Sequence, residues 1–229
     1  MCGRYSIVIE EEKLRRQFGE SLQLPSENGA LPTNYNVAPT QNGLVLTDEQ
    51  PERLSLFRWG LVPFWAKDLK IGSRMINARS EGIVDKPAFR QAIRKRRCLV
   101  IADSFYEWKR VGKDKQPYRI LPIDGSLLIM AGIWEVWRGP NRDEEPTFTY
   151  SIITGPPNLE MQPLHNRMPI LLQDEQSQSA WLGKETDLPL VQKLMQTPDD
   201  GLLKSYLVSK AVGNVRNNGA ELHEEMNLD

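Results

Sequence analysis

The sequence predicts an α+β protein, a single compact domain on a strongly curved, barrel-like β core. Short apolar runs bounded by Gly, Pro, Asn and Asp recur along the chain, and few stretches carry helical spacing. No low-complexity linker divides the 229 residues, a length that one large domain accommodates. No internal repeat of solenoid or propeller length is visible. Many short strands with a few intervening helices fit a curved sheet better than alternating βαβ units.

The elements follow in order. Residues 5–9 read as a strand, and Glu10 to Phe18 as a short helix stopped by Gly19. Residues 20–43 read as loop, with Pro25, Asn28-Gly29, Pro32 and Pro39. Leu44–Thr47 and Leu54–Trp59 are two strands around a polar turn, and 60–75 is irregular. Lys86 to Lys95 reads as a helix with Pro87 in its first turn. Cys98–Ala102 and Phe105–Lys109 are strands, Gly112–Gln116 is a charged hairpin loop, and Pro117–Leu121 returns. Leu127–Trp134 and Phe148–Thr154 are the most apolar strands. Helices follow at Gln176–Leu182 and Leu188–Met195, then a strand at Tyr206–Ser209. The domain spans 1–229, with its core at about 2–219 and a short C-terminal tail.

Composition narrows the class. Apolar residues make up 40% and charged residues 26%, with a mean hydropathy of −0.48, the balance of a globular chain. No apolar run is long enough to span a bilayer, and the start has no charged-then-apolar leader. Cys2 and Cys98 are the only cysteines, too few for a disulfide framework or a zinc site. The expectation is a cytoplasmic protein without metal or cofactor. Net charge is −1, yet residues 53–119 hold 17 Lys/Arg against 6 Asp/Glu, a local +11. Such a segment either faces a polyanion or covers separate solvated faces.

Cys2 follows the initiator Met and is small, so removal of Met1 is expected. This leaves an amine, of reference pKa about 7.7–8.0, beside a thiol. The amine adds to an aldehyde to give an imine, and the thiol closes on the imine carbon as a thiazolidine, intramolecularly. A small residue without a role is the plainer alternative. Cys98, in Cys98-Leu99-Val100-Ile101, reads as core. Of the two histidines, His223 sits among glutamates near the end. His165, in Pro163-Leu164-His165-Asn166-Arg167-Met168-Pro169, is the candidate for any imidazole chemistry. Glu107 lies in Phe105-Tyr106-Glu107-Trp108; strand alternation puts it on the face of Phe105, which favours a buried acid over a solvent-facing one. Asn36 and Asn77 suit orienting a substrate by their amides, and Arg79 suits a phosphate. Trp65, in the irregular Trp59-Gly60-Leu61-Val62-Pro63-Phe64-Trp65 segment, is placed to stack on unpaired bases.

Together these segments resemble the SOS-response-associated peptidase family. The matching pieces are Met1-Cys2-Gly3-Arg4, Asn36-Val37-Ala38-Pro39, Trp59 to Pro63, Ile76-Asn77-Ala78-Arg79-Ser80-Glu81 and Arg97 to Trp108. They continue with Pro117-Tyr118, Ala131 to Trp134, His165 to Pro169 and Val212-Gly213-Asn214-Val215. They occur in family order over residues 2 to about 219. The resemblance implies a compact α+β domain, mostly antiparallel, with peripheral helices. It implies a monomer that recognises abasic sites in single-stranded DNA, acts at the nucleoid and cross-links covalently through Cys2. Asn77, Glu107 and His165 complete the implied site. Arg4, Arg79 and Arg167 are implied phosphate or sugar contacts, Asn36 and Pro39 belong to the DNA-binding set, and Trp65 matches an aromatic that packs against DNA. Where the family often has a second aromatic after Trp65, this chain has Ala66. Autoproteolysis, here removal of Met1, and strand cleavage by β-elimination are further implied activities. A cysteine peptidase acting in trans through Cys2 and His165, and a non-covalent single-strand binder, are the alternatives.

Overall fold

The computed structural model describes residues 2–25, 31–141 and 145–226. The chain opens with β1 (Tyr5–Ile7) and α1 (Glu11–Phe18). Acids in the first turn of α1 and arginines in the last match the helix dipole, and Gly19, at φ 94°, ends it. Next come β2 (Asn34–Val37), β3 (Asn42–Thr47), β4 (Ser55–Trp59), β5 (Asn77–Arg79) and α2 (Ala92–Lys95). The middle of the chain is β6 (Arg97–Ala102), β7 (Ser104–Val111), β8 (Asp114–Pro122), β9 (Leu128–Trp137) and β10 (Thr147–Gly155). The last part holds β11 (Met168–Pro169), α3 (Glu175–Leu182), α4 (Leu188–Leu194) and β12 (Leu203–Leu207). Asp174 and Asp187 cap α3 and α4 through their side chains.

Five strands close into a barrel in the order β10-β4-β3-β6-β9 and back to β10. All contacts are antiparallel except the short parallel seam of β4 on β10, with Thr149 opposite Arg58. Closure leaves no unpaired edge among these strands. Beyond the end of β4, β5 takes over the same edge of β10 in parallel, with Ile152 opposite Asn77, and β11 pairs further along its other edge. A second, antiparallel sheet runs β12-β8-β7-β1-β2. The fold is therefore α+β around a closed barrel, as the sequence predicts. The two β units are joined where the Tyr5 and Tyr150 hydroxyls hydrogen-bond over Gly43. A Cβ on Gly43 would lie 1.9 Å from the Tyr5 oxygen, so this junction requires glycine.

Several elements differ from expectation. β2 lies inside the stretch read as loop, and β5 within a polar cluster. The predicted helix at 86–95 reduces to separate turns and a four-residue α2. The hairpin loop shrinks to a Gly112-Lys113 turn with Gly112 at φ 62°, so β8 begins at Asp114. The last strand starts at Leu203, three residues before Tyr206. Asn28-Gly29 falls outside the described residues.

Candidate functional site around Cys2

The antiparallel pairing of β1 with β7, Tyr5 opposite Phe105, brings the start of the chain alongside Glu107 and Trp108. The Tyr106 amide donates to the Arg4 carbonyl at 2.9 Å and carries this alignment outward from the strand pair. Cys2 is fully buried, its Sγ 4.0 Å from the Arg4 carbonyl oxygen. Burial pushes its thiol well above the ordinary range, and the neighbouring Glu107 charge pushes it further. Glu107 is itself buried, on the same strand face as Phe105, and burial raises its carboxyl above the ordinary value. Tyr106 points the other way, into a small cluster with Val208, Val212 and Leu222, against which Trp108 packs.

Asn77 arrives from β5. Its Nδ2 donates to the Cys2 carbonyl oxygen at 2.7 Å, while its Oδ1 is buried without a protein partner. His165 sits on the loop before β11, which Asn158 shapes by accepting the Met161 amide at 3.1 Å. The Arg167 amide donates to His165 Nδ1 at 3.1 Å. Nδ1 also lies 3.3 Å from the Arg167 carbonyl oxygen, so the Arg167 backbone holds this edge of the ring in either tautomer. Burial lowers the His165 pKa, so the ring is neutral at neutral pH. Glu107 and His165 line one cleft of about 720 Å³, with Lys109, Arg110 and Lys115 along it. These three cations, all on the β7–β8 hairpin, were not singled out from the sequence. Their signal is the +11 segment, which contains them.

The other candidates divide. Arg79 is exposed and shares a strand face with Asn77. Arg167 binds Glu81 bidentately at 2.8 and 3.0 Å and also reaches Thr154. Arg4 is turned inward: Nη1 donates to Asn36 Oδ1 and to the Val212 carbonyl, both at 2.7 Å, and the guanidinium lies 5.9 Å from the Trp108 ring centroid. Asn36 is buried too, and its Nδ2 reaches the carbonyls of Val212, Asn214 and Asn217. In this structure both residues fasten segment 212–217 to the sheet, so their polar groups are engaged within the protein. Pro39 follows β2 past the Tyr5–Val37 pair, which leads it toward the Cys2 end. Trp65 is 50% exposed but does not line the Glu107–His165 cleft. Its loop is clamped at the base, where Gly60 and Gly72 pack so closely that a Cβ on either would meet the other's carbonyl oxygen at 2.5 Å. Ala66 is buried there, its carbonyl accepting from Trp137 Nε1 at 2.8 Å.

Among the described residues, no cluster of three or more His, Cys, Asp or Glu is placed to hold a metal ion. No helix among them is long and apolar enough to cross a membrane.

The fold and site define a class: barrel proteins that seat a second-position cysteine between a buried acid and an amide clamp, beside a cation-lined cleft. The SOS response associated peptidase (SRAP) model matches residues 1–215, and the chain belongs to that family. It is 43% identical over 227 residues to the abasic site processing protein YoqW of Bacillus subtilis, covering 98% of this chain and 99% of that one. It is 31% identical to the abasic site processing protein HMCES of Gallus gallus, covering 96% of this chain and 76% of the other. A crystal structure of a Bacteroides thetaiotaomicron protein superposes with a TM-score of 0.82 at 26% identity, over 91% of this chain and 93% of that one.

Proposed function

We propose that this chain acts in the DNA-damage response by capturing abasic sites in single-stranded DNA, covalently and through Cys2 once Met1 is gone. The observation that carries the reading is the surroundings of residue 2. The Asn77 amide holds its carbonyl at 2.7 Å, Glu107 is buried beside it, and Glu107 shares a cleft with His165 and three cations. The names of the relatives, abasic site processing proteins, agree with it.

The chemistry follows from the groups present. The ring-closed abasic sugar opens to its aldehyde when a donor protonates the ring oxygen, and the His165 imidazole, on the wall of the cleft, supplies that proton. Neutral Cys2 amine attacks the carbonyl carbon, and loss of water leaves an imine. Glu107, with a raised pKa, exchanges protons in these steps; acid–base help of this kind is worth roughly 10²–10⁴-fold. The thiol then adds across the C=N bond, sulfur to carbon and its proton to nitrogen, closing the thiazolidine. Consumption of the imine suppresses β-elimination and spares the strand. A thiol kept protonated by burial suits this order, because it is needed only after the imine forms.

The test is a single-stranded oligonucleotide with one abasic site, incubated with protein and run on a denaturing gel. Wild type is expected to give a shifted band and Cys2→Ala none, with intact mass showing the chain short by one Met. No wild-type adduct, or an undiminished adduct from Cys2→Ala, overturns the reading.

A further inference from the structure

Arg167 lies beside His165, yet its fork is already filled. Nη1 donates to Glu81 Oε1 at 3.0 Å and Nη2 to Glu81 Oε2 at 2.8 Å. The guanidinium does not depend on Glu81 for its place: Nη2 also donates to the Thr154 carbonyl, and Nε to Thr154 Oγ1 at 3.3 Å, both on β10. The two partners differ in exposure. The Arg167 side chain is 12% exposed, and that of Glu81 is 54% exposed. The buried half of the pair is the cation, and the solvent-facing half is the carboxylate. Arg79 stands opposite Thr154 in the β5–β10 register, and its charge also acts on Glu81. A carboxylate in a guanidinium fork offers the same paired oxygens as a phosphodiester.

We propose that Glu81 is an internal stand-in for a DNA phosphate: it occupies the Arg167 fork in the free protein and yields it to a phosphodiester of the bound strand. The proposal rests on the single-strand reading above and adds its regulation. Glu81 keeps the basic face partly neutralised, so undamaged strands are held weakly and released. An ion pair with one half in water is opened at small cost, which makes the exchange accessible. Arg167 holds the Glu81 carboxyl down at about 2, so the stand-in stays charged through the physiological range and is displaced by DNA, not by pH.

The experiment is fluorescence anisotropy with an undamaged single-stranded oligothymidine, titrated at several salt concentrations. Glu81→Gln is expected to bind about two- to fivefold more tightly at low salt. The slope of log K against log salt should steepen by about one, because Arg167 then pairs a phosphate without ejecting an anion. Both gains should vanish in an Arg167→Ala background. Should Glu81→Gln fail to fold, Glu81→Asp, too short to fill the fork bidentately, is expected to show the same signs at smaller size. Unchanged affinity and slope overturn the proposal, as does a gain that survives Arg167→Ala, which would mark mere removal of a negative charge. No binding by wild type or variant overturns the single-strand reading and the proposal together; equal binding by both overturns the proposal alone.

Discussion

Strand β6 of the barrel buries all six of its residues, five of them apolar, whereas β7 in the neighbouring sheet buries Ser104 to Glu107 and then runs out to exposed Arg110 and Val111. The same contrast holds around them. The barrel is packed with Leu44, Leu46, Val100, Ile133 and Ile152, and Trp181 of α3 covers it while donating to the Cys98 carbonyl. The five-stranded sheet is tied by polar groups: Arg4 to Asn36, Ser6 to Ser104, and Arg119 to Asp103 at 2.8 Å. Glu107 belongs to this second unit and Asn77 to the rim of the first. The difference teaches that the candidate site lies at the seam between an apolar unit and one tied by hydrogen bonds. A buried acid needs partners in either unit: Glu135 on barrel strand β9 is held by Arg96 at 2.7 Å, while Glu107 sits in a sheet stitched by hydrogen bonds.

The contrast can be tested from its largest effect downward. Leu44→Ala opens a cavity in the buried apolar core around the barrel and is expected to cost about 2–5 kcal/mol in denaturant unfolding. Capture of abasic DNA per folded molecule should remain near wild type; a matching fall in capture would break the division. Asn36→Ala strips partners from Arg4 and from the 212–217 carbonyls, at an expected cost of about 1–3 kcal/mol. It should also slow capture, because Gly213 is a wall of the cleft. Lost stability with unchanged capture would separate that segment from the site.

The third test is pH. The His165 pKa is depressed by burial below its ordinary 6.5, so the folded state binds fewer protons there than the unfolded chain. Its contribution to stability is therefore complete above that value and falls as pH drops below it. Capture should fall with pH as well, first as the Cys2 amine, of reference pKa about 7.7–8.0, takes up a proton, and further over the acid range in which His165 is protonated. In His165→Gln the more acid part of this limb should shrink; an unchanged profile would assign the limb to the amine and Glu107. The smallest effect is expected at Arg79→Ala. Melting temperature should hold, and the salt slope of single-strand binding should flatten by about one. An unchanged slope would remove Arg79 from the DNA path.

Much of this architecture is legible in the sequence because the barrel strands announce themselves. Cys98 to Ala102 and Leu128 to Trp134 are continuous apolar runs, the pattern of strands buried on both faces. The Phe105/Glu107 alternation correctly places a carboxylate on the buried side. What local reading misses is made by pairing at a distance. Asn34–Val37 has weak intrinsic strand preference and becomes β2 because β1 offers it an edge. Asn77–Arg79 is too short for any periodicity and exists as a strand only against β10. Arg4 and Asn36 carry the right chemistry to meet DNA, but nothing local to them says that residues 212–217, far along the chain, supply carbonyls to claim it. Trp65 is read as exposed and is so, while the glycine contact that fixes its loop depends on Gly72 folding back on Gly60.

Asn77 grips residue 2 by its carbonyl, an atom that every amino acid possesses. The seat is therefore blind to what stands in it. Exchanging cysteine for serine or alanine leaves the anchoring bond available, so residue 2 stays tethered while its side chain changes. Address is thus separated from payload: the main chain fixes residue 2 beside Glu107, whatever side chain it carries.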